Sequence, residues 1–259
     1  MRLKILLTPL KRNFELDINY HYSLASAVYK IFSNGSESIA EWLHNTGFLD
    51  EKGRKLKIFN FSNLLFDSYQ VKDSIIEANG SAYFLFSSPI ETNLIKTFVD
   101  GVFKDPRMEI FSLGKKHKFQ IATIDILQDL ETSDKMSYKA ITPISVSKQV
   151  DEDGRLRIKY LSPESTEFTE RIENNLRKKY ELLNKSEYTG KLIMSTPNEN
   201  YIKSKLITIK QGRADETKVK GFLTKLDIEA NGEMQRLAYY CGLGERNSLG
   251  FGMIEKIGG

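Results

Sequence analysis

The chain contains a single cysteine, Cys241, among its 259 residues. One thiol cannot form an intrachain disulfide, so a disulfide-stapled secreted fold is excluded and a reducing, cytoplasmic compartment is expected. Histidine is almost as scarce, with three residues. Three histidines and one cysteine cannot build an ordinary zinc site without carboxylate help. We therefore expect neither a metal nor another cofactor.

Long apolar runs are also missing, and no segment is long enough to span a bilayer. Residues 1–5 alternate between apolar and basic side chains, as a strand does, and they lack the apolar region of a signal peptide. We therefore expect a cytoplasmic protein that has no membrane partner.

The composition that remains is typical of a globular protein, with 40% hydrophobic and 28% charged residues. That balance argues against disorder, collagen and coiled coil. The length suffices for one large domain or two small ones, each with its own core. The net charge of +4 permits an anionic partner without demanding one.

Basic residues are concentrated in three clusters. A basic run is usually a solvated face, so each cluster alone is weak evidence. Three clusters together favour a polyphosphate partner, because neutralising phosphates releases counterions. The clusters are Lys203, Lys205, Lys210, Arg213, Lys218, Lys220 and Lys225, against only Asp215 and Glu216; then Lys52, Arg54, Lys55 and Lys57; and Lys115, Lys116 and Lys118.

Hydrophobic periodicity predicts the same order of elements twice along the chain. This order is the βαββαβ plan of a ferredoxin-like domain. The sequence therefore predicts an α+β protein with two tandem ferredoxin-like (RRM-like) domains, 1–135 and 136–259, that repeat in topology but not in sequence. The first half has a strand at 2–8, a helix at 20–33, a short helix ending at His44 and Asn45, strands at 57–66 and 81–87, a helix from Pro89, and strands at 108–113 and 119–127. A polar linker at 128–137 precedes strands at 138–150 and 155–160, a helix capped by Ser162 with Pro163 at its first position, strands at 188–196, 201–210 and 217–229, a helix at 232–241 and a strand at 251–257.

The strongest local motif is glycine-rich and lies between the last helix and the last strand. It places Gly242, Gly244, Gly250 and Gly252 around the donors Arg246, Asn247 and Ser248. Glycine lets backbone amides approach an anion closely, and the three side chains add further donors. The motif is neither a Walker loop nor a dinucleotide fingerprint, because it lacks the Walker lysine and follows a helix instead of opening one. A mobile connector and a nucleotide-binding cradle remain as alternatives.

Each histidine is by default a surface or structural residue. His117 lies among lysines, and His21 lies near the start of the first helix beside Tyr20. His44 stands out, because it ends a predicted helix, with Tyr29 upstream and the cluster from Lys52 to Lys57 downstream. A histidine titrates near neutral pH and can serve as a general acid or base.

The whole chain resembles the CRISPR-associated endoribonucleases that process precursor CRISPR RNA, the Cas6 family of the repeat-associated RNA-binding superfamily. The resemblance rests on the motif Gly242-Leu-Gly-Glu-Arg-Asn-Ser-Leu-Gly-Phe-Gly252, and on a first strand followed by Tyr20-His21, a helix with Tyr29, and Trp42-Leu43-His44. Family members consist of two ferredoxin-like domains and cut repeat RNA without metal, leaving a 2′,3′-cyclic phosphate and a 5′-hydroxyl.

The resemblance implies that His44, Tyr29 and Lys57 are catalytic, with Lys55 or Lys52 as alternatives for the lysine. It implies RNA binding by the glycine-rich motif, and we expect Lys203, Lys205 and Lys220 to add affinity. Cleavage through a 2′-hydroxyl needs a base, an acid and positive charge near the phosphorane, and side chains can supply all three. Which of His44 and Tyr29 handles which proton stays open. We expect repeat RNA and other CRISPR effector subunits as partners, and a monomer or homodimer. The alternative is an RNA-binding subunit that does not cut.

Overall fold

A computed structural model of the chain describes residues 1–49, 53, 55–197 and 201–258. The first half contains β1 (Arg2–Pro9), β2 (Asn13–Asp17), α1 (His21–Gly35), α2 (Glu37–Asn45), β3 (Phe48–Leu49), β4 (Lys55–Leu56), β5 (Asn60–Phe61), β6 (Leu65–Lys72), β7 (Ile75–Ser87), α3 (Lys96–Lys104), β8 (Arg107–Ser112) and β9 (Lys115–Ile126). The second half contains β10 (Lys135–Ala140), β11 (Ser147–Glu152), β12 (Arg155–Tyr160), α4 (Thr166–Asn184), β13 (Leu192–Ser195), β14 (Lys203–Ile209), β15 (Thr217–Leu223), β16 (Lys225–Ala230), α5 (Gly232–Cys241) and β17 (Ile254–Lys256).

The N-terminal sheet has the strand order of a ferredoxin-like fold. β1 pairs antiparallel with β7 on one side and with β9 on the other, and β6 pairs with the far edge of β7. With β1, β6, β7 and β9 as the four strands of the plan, the spatial order is fourth, first, third, second. Helices α1 and α3 cover this sheet, and their apolar stripes bury Leu24, Val28, Ile31 and Phe98 in the core.

The C-terminal domain repeats the plan in its simplest form. Its four-stranded sheet runs β13, β16, β10, β17. With β10, β13, β16 and β17 as the four strands of the plan, the order read from β17 is again fourth, first, third, second. Helix α4 buries Phe168, Ile172 and Leu176 against this sheet. Two antiparallel ribbons are inserted into the plan, β11–β12 before α4 and β14–β15 before β16. The predicted pair of tandem ferredoxin-like domains is confirmed.

Several predicted strands are wrong in extent because the chain changes sheet where the sequence stays apolar. The stretch 57–66 holds only the two-residue β5 and the start of β6, although Phe59 and Phe61 are fully buried. The stretch 138–150 breaks around Pro143, which has no amide to donate to a ladder. The stretch 217–229 breaks at Thr224, where the chain leaves the ribbon for the central sheet.

Three further boundaries differ from the prediction. β2 lies between the predicted strand at 2–8 and the predicted helix at 20–33. It alternates buried and exposed residues and pairs with β7. The linker is shorter than expected, since β10 begins at Lys135. Helix α4 begins at Thr166 after Ser165, because the Ser162 hydroxyl donates to Glu164 in a preceding turn instead of capping the helix.

The two domains are joined by hydrogen bonds from β1 and β7 of the first domain to α5 and β17 of the second. Arg2 is 1% exposed, and its guanidinium donates to the carbonyls of Tyr239 and Ile254 at 2.7 and 3.1 Å. The Ser87 hydroxyl donates to the Tyr240 carbonyl at 3.0 Å. Buried hydrogen bonds of this kind fix the relative placement of the two domains. None of the described helices is long and apolar enough to cross a membrane.

Candidate active site and nucleic-acid interface

Tyr29 and His44 meet because two consecutive helices fold against each other. Ser36 ends α1 and caps α2, its side chain accepting from the Ile39 amide. The sequence allows either Ser36 or Ser38 as this cap, and the structure selects Ser36. The rings of Tyr29 and His44 then meet edge to face, with centroids 6.2 Å apart.

His44 is exposed in the last turn of α2, where the helix dipole places partial negative charge. Its Nδ1 lies 3.1 Å from Oδ1 of the adjacent Asn45. When Nδ1 carries the proton and donates to Asn45, Nε2 keeps a free lone pair. That tautomer is the one a general base requires.

The Tyr29 phenol points into the protein. Its oxygen is buried and has no well-formed hydrogen bond within the described residues. Burial raises the pKa of the Tyr29 phenol, and the nearby Ser248 hydroxyl offsets the rise in part. Tyr29 therefore stays neutral at physiological pH and has a proton to donate.

Lys57 reaches this pair because a short ribbon turns the chain back after α2. Phe48 in β3 pairs with Leu56 in β4. Lys57 follows, half-buried, with its Nζ 4.8 Å from the Tyr29 ring centroid. Burial and, to a lesser extent, Lys55 lower the pKa of Lys57. Lys55 is exposed, and Lys52 and Arg54 lie outside the described residues.

The glycine-rich segment 242–252, called the glycine loop below, packs where the two domains meet. An added Cβ at Gly242 would lie 2.0 Å from Nδ2 of Asn60, and one at Gly250 would lie 2.8 Å from the Phe61 ring. Both partners belong to β5 of the first domain. The glycines thus let the two domains approach each other, and they also have positive φ, as do Gly244 and Gly252.

Much of the hydrogen-bonding capacity of the glycine loop is used within the chain. The donors of the loop that could still serve an anion are those of Arg246 and Ser248 and the remaining amides. The committed amides are those of Gly242, Leu243, Glu245, Leu249, Gly250 and Gly252, which donate to Ala238, Gly252, Ser145, Arg246, Asn247 and Pro143 respectively. The Asn247 side chain is committed as well, donating to the carbonyls of Leu243 and Phe251.

A cleft of about 770 Å³ lies between the glycine loop and α4, with Lys57 on its rim. Arg246 lines it, and the Nε of that guanidinium is buried with no partner among the described residues. The prediction missed the α4 wall. The helical spacing of its polar residues is a signal that could have found them. This wall consists of Arg171, Asn174, Asn175 and Lys178, together with Glu167 and Glu170.

The basic cluster between Lys203 and Lys225 is divided between the two faces of the β14–β15 ribbon. Lys205 pairs with Gly221 and Leu206 with Lys220 in the β14–β15 register. Because paired residues share a face and neighbours alternate, Lys203 and Lys205 lie on one face and Lys220 on the other. These three lysines do not line the cleft with Arg246.

The other two histidines have structural surroundings. His21 is buried, and its Nε2 lies 2.7 Å from Oδ1 of Asn63. Burial lowers the pKa of His21 to about 4. His117 is half-buried against the ring of Phe14, and burial lowers its pKa too. Within the described chain, no three His, Cys, Asp or Glu side chains converge as metal ligands would.

Two protein families match the chain, one over each half. "CRISPR-associated protein Cas6, N-terminal" matches residues 15–124, and "CRISPR associated protein Cas6, C-terminal" matches residues 127–256. The matches correspond to the two ferredoxin-like halves.

Similar proteins extend over nearly the whole chain. CRISPR-associated endoribonuclease Cas6 1 of Methanocaldococcus jannaschii is 27% identical over 244 residues, which cover 92% of this chain and 86% of that protein. CRISPR-associated endoribonuclease-like protein Cas6nc of Pyrococcus horikoshii is 25% identical over 261 residues, covering 99% and 100%. A solved structure described as CRISPR associated protein Cas6 matches with a TM-score of 0.77 at 25% identity, covering 100% of this chain and 99% of that one.

Proposed function

Because the chain belongs to the Cas6 family of CRISPR-associated proteins, we propose that it binds CRISPR repeat RNA and cuts precursor CRISPR RNA within each repeat without a metal ion. The observation that supports this most directly is that the Tyr29 ring contacts both His44 and Lys57, and that Lys57 lines the same cleft as Arg246. These side chains offer proton transfer and positive charge at one place. The relatives named as endoribonucleases support the same reaction class.

In the proposed reaction, the ribose 2′-oxygen attacks the adjacent phosphorus and the bond from phosphorus to the 5′-oxygen breaks. The 2′-hydroxyl proton passes to a base, and the leaving 5′-oxygen takes a proton from an acid. His44 and Tyr29 fill these two roles, and the Lys57 ammonium stabilises the charge on the phosphorane. The products are a 2′,3′-cyclic phosphate and a 5′-hydroxyl.

We assign RNA binding to the domain junction. Arg246 and Ser248 contact phosphates from the cleft, while the glycines Gly242, Gly244, Gly250 and Gly252 and the Asn247 amide shape the loop that carries them. One face of the β14–β15 ribbon, either the one with Lys203 and Lys205 or the opposite one with Lys220, adds affinity that does not depend on sequence. The protein works in the cytoplasm as a monomer or homodimer and hands its product to other CRISPR effector subunits.

The test is an incubation of the protein with the repeat RNA of its own genome in EDTA, with the product ends mapped. We expect one cut per repeat and ends that carry a cyclic phosphate and a 5′-hydroxyl. His44→Ala should abolish cutting and keep most of the RNA affinity. A 2′-deoxy nucleotide just upstream of the cut should block it, and cleavage of that substrate would exclude the mechanism.

The second candidate is an RNA-binding subunit that does not cut. The similarity to the endoribonuclease-like Cas6nc protein supports this second candidate. The same incubation separates the two candidates, because this one predicts a tight complex with intact repeat RNA.

A further inference from the structure

A lysine is buried where α4 meets the glycine loop. Lys179 is 1% exposed, and its Nζ lies 2.9 Å from the Gly242 carbonyl and 2.7 Å from Oδ1 of Asn247. No carboxylate of the described residues forms an ion pair with Lys179. Burying an ammonium without an opposite charge is costly, so stability alone does not explain a lysine at this position.

Lys179 fixes the orientation of Asn247. An ammonium can only donate, so Oδ1 of Asn247 must face Lys179 and Nδ2 must face the loop. From there Nδ2 donates to Leu243 at 3.0 Å and to Phe251 at 2.9 Å. These two carbonyls lie near the two ends of the glycine loop. The lysine thus closes the loop through one amide side chain.

The closed loop presents its next residues to the site. Ser248 follows Asn247 directly and lies beside the Tyr29 phenol. Arg246 precedes Asn247 and lines the cleft. On the other side, Lys178 lines the α4 wall next to Lys179. A single buried side chain therefore ties one wall of the cleft to the opposite one.

We propose that Lys179 is a positioning residue for RNA cleavage, which holds the glycine loop through Asn247 in the shape that sets Ser248 beside Tyr29. It touches neither RNA nor the reacting atoms. This inference rests on the proposed function, and it adds to that function a residue remote from Tyr29, His44 and Lys57.

The experiment compares Lys179→Met, Asn247→Leu and the double variant at a temperature well below the Tm of each. We expect single-turnover cleavage at saturating protein to slow at least tenfold, while the Kd for RNA changes less than threefold. The double variant should be no slower than the slower single variant, because both changes break the same connection. Lys191→Met is the matched control. Lys191 is exposed and paired with Glu229, and its loss should leave the rate unchanged.

Asn247→Asp keeps the acceptor for Lys179 and removes both donors into the loop, so it should slow cleavage too. It replaces Lys179→Met if that variant does not fold. An unchanged cleavage rate in folded Lys179→Met, or multiplicative losses in the double variant, would overturn the proposal.

Hydrogen exchange separates this inference from the proposed function. The amides of Leu243 and Gly250 donate within the loop, and the Gly252 amide holds the end of the loop by donating to Pro143. They should exchange at least tenfold faster in Lys179→Met. If the wild-type protein cuts no RNA, the proposed function fails, and unchanged exchange in the variant then overturns the loop-holding role as well.

Discussion

The ammonium of Lys57 lies over the ring of Tyr29, with Nζ 4.8 Å from the ring centroid. A cation above an aromatic face is attracted by the ring quadrupole. The contact holds a positive charge beside the phenol, and no carboxylate of the described residues pairs with it. In the proposed reaction this charge meets the phosphate.

The first prediction concerns the upper pH limit of cleavage. Burial and Lys55 lower the pKa of Lys57. As pH rises, Lys57 therefore loses its charge earlier than an ordinary lysine does. Cleavage should fall as pH rises through that point, because the phosphorane loses its cation. Lys55→Ala removes one cause of the lowered pKa and should move the alkaline limb to higher pH. Single-turnover rates measured across the alkaline range check this, and an unmoved limb would contradict it.

The second prediction uses two glycines with similar φ. An added Cβ at Gly252 would lie 1.9 Å from the Leu243 carbonyl oxygen, whereas one at Gly114 would have no atom within 4 Å. Gly114→Ala should cost about 1 kcal/mol for its left-handed backbone alone. Gly252→Ala should cost at least about 3 kcal/mol, since backbone must move at the domain junction. Urea unfolding measures both, and equal losses would show that the close approach is unimportant.

The third prediction follows from the buried His21. Its pKa is lowered to about 4 in the folded protein, against about 6.5 in an unfolded chain. Between these values the unfolded state binds more protons, so the His21 contribution to stability is complete above pH 6.5 and is lost as pH falls toward 4. Between pH 7 and 5 this loss amounts to about 2 kcal/mol.

His21→Gln should remove that part of the pH dependence. Chemical unfolding at pH 7 and pH 5 gives the free energy of unfolding at each pH. If the free energy of unfolding falls equally in the variant and in the wild-type protein between pH 7 and pH 5, His21 titrates in the folded state as it does in the unfolded one.

The fourth prediction separates the basic residues by their positions. Arg246→Ala should weaken RNA binding and reduce the slope of log K against log salt by about one, as the loss of one phosphate contact does. Lys205 and Lys220 lie on opposite faces of the β14–β15 ribbon. We expect Lys205→Ala or Lys220→Ala, but not both, to reduce the slope. Equal reductions would show that RNA reaches both faces.

The helices were predictable where local signals agreed. The apolar stripe of α1, the Ser36 cap and the end of α2 at Asn45 depend on residues at most four positions apart. The glycine motif was also visible in the sequence. Its position between α5 and β17 followed from its neighbours.

The breaks in the strands were not predictable in the same way. A buried strand and a buried irregular segment are both apolar, and Phe59 and Phe61 fit either one. The difference lies in distant partners, such as the Ser88 hydroxyl that donates to the Ile58 carbonyl. Periodicity carries no information about a partner thirty residues away.

The sequence by itself determined the βαββαβ order of the main elements, the two ferredoxin-like halves and the glycine-rich motif, because these depend on local periodicity and on composition. Tertiary structure alone decided that Lys57 lies over Tyr29, that the glycine loop is closed at the domain junction, and that Lys179 reaches Asn247. Each of these contacts joins segments that lie far apart along the chain. Such contacts form only when two packed cores fix where the segments meet.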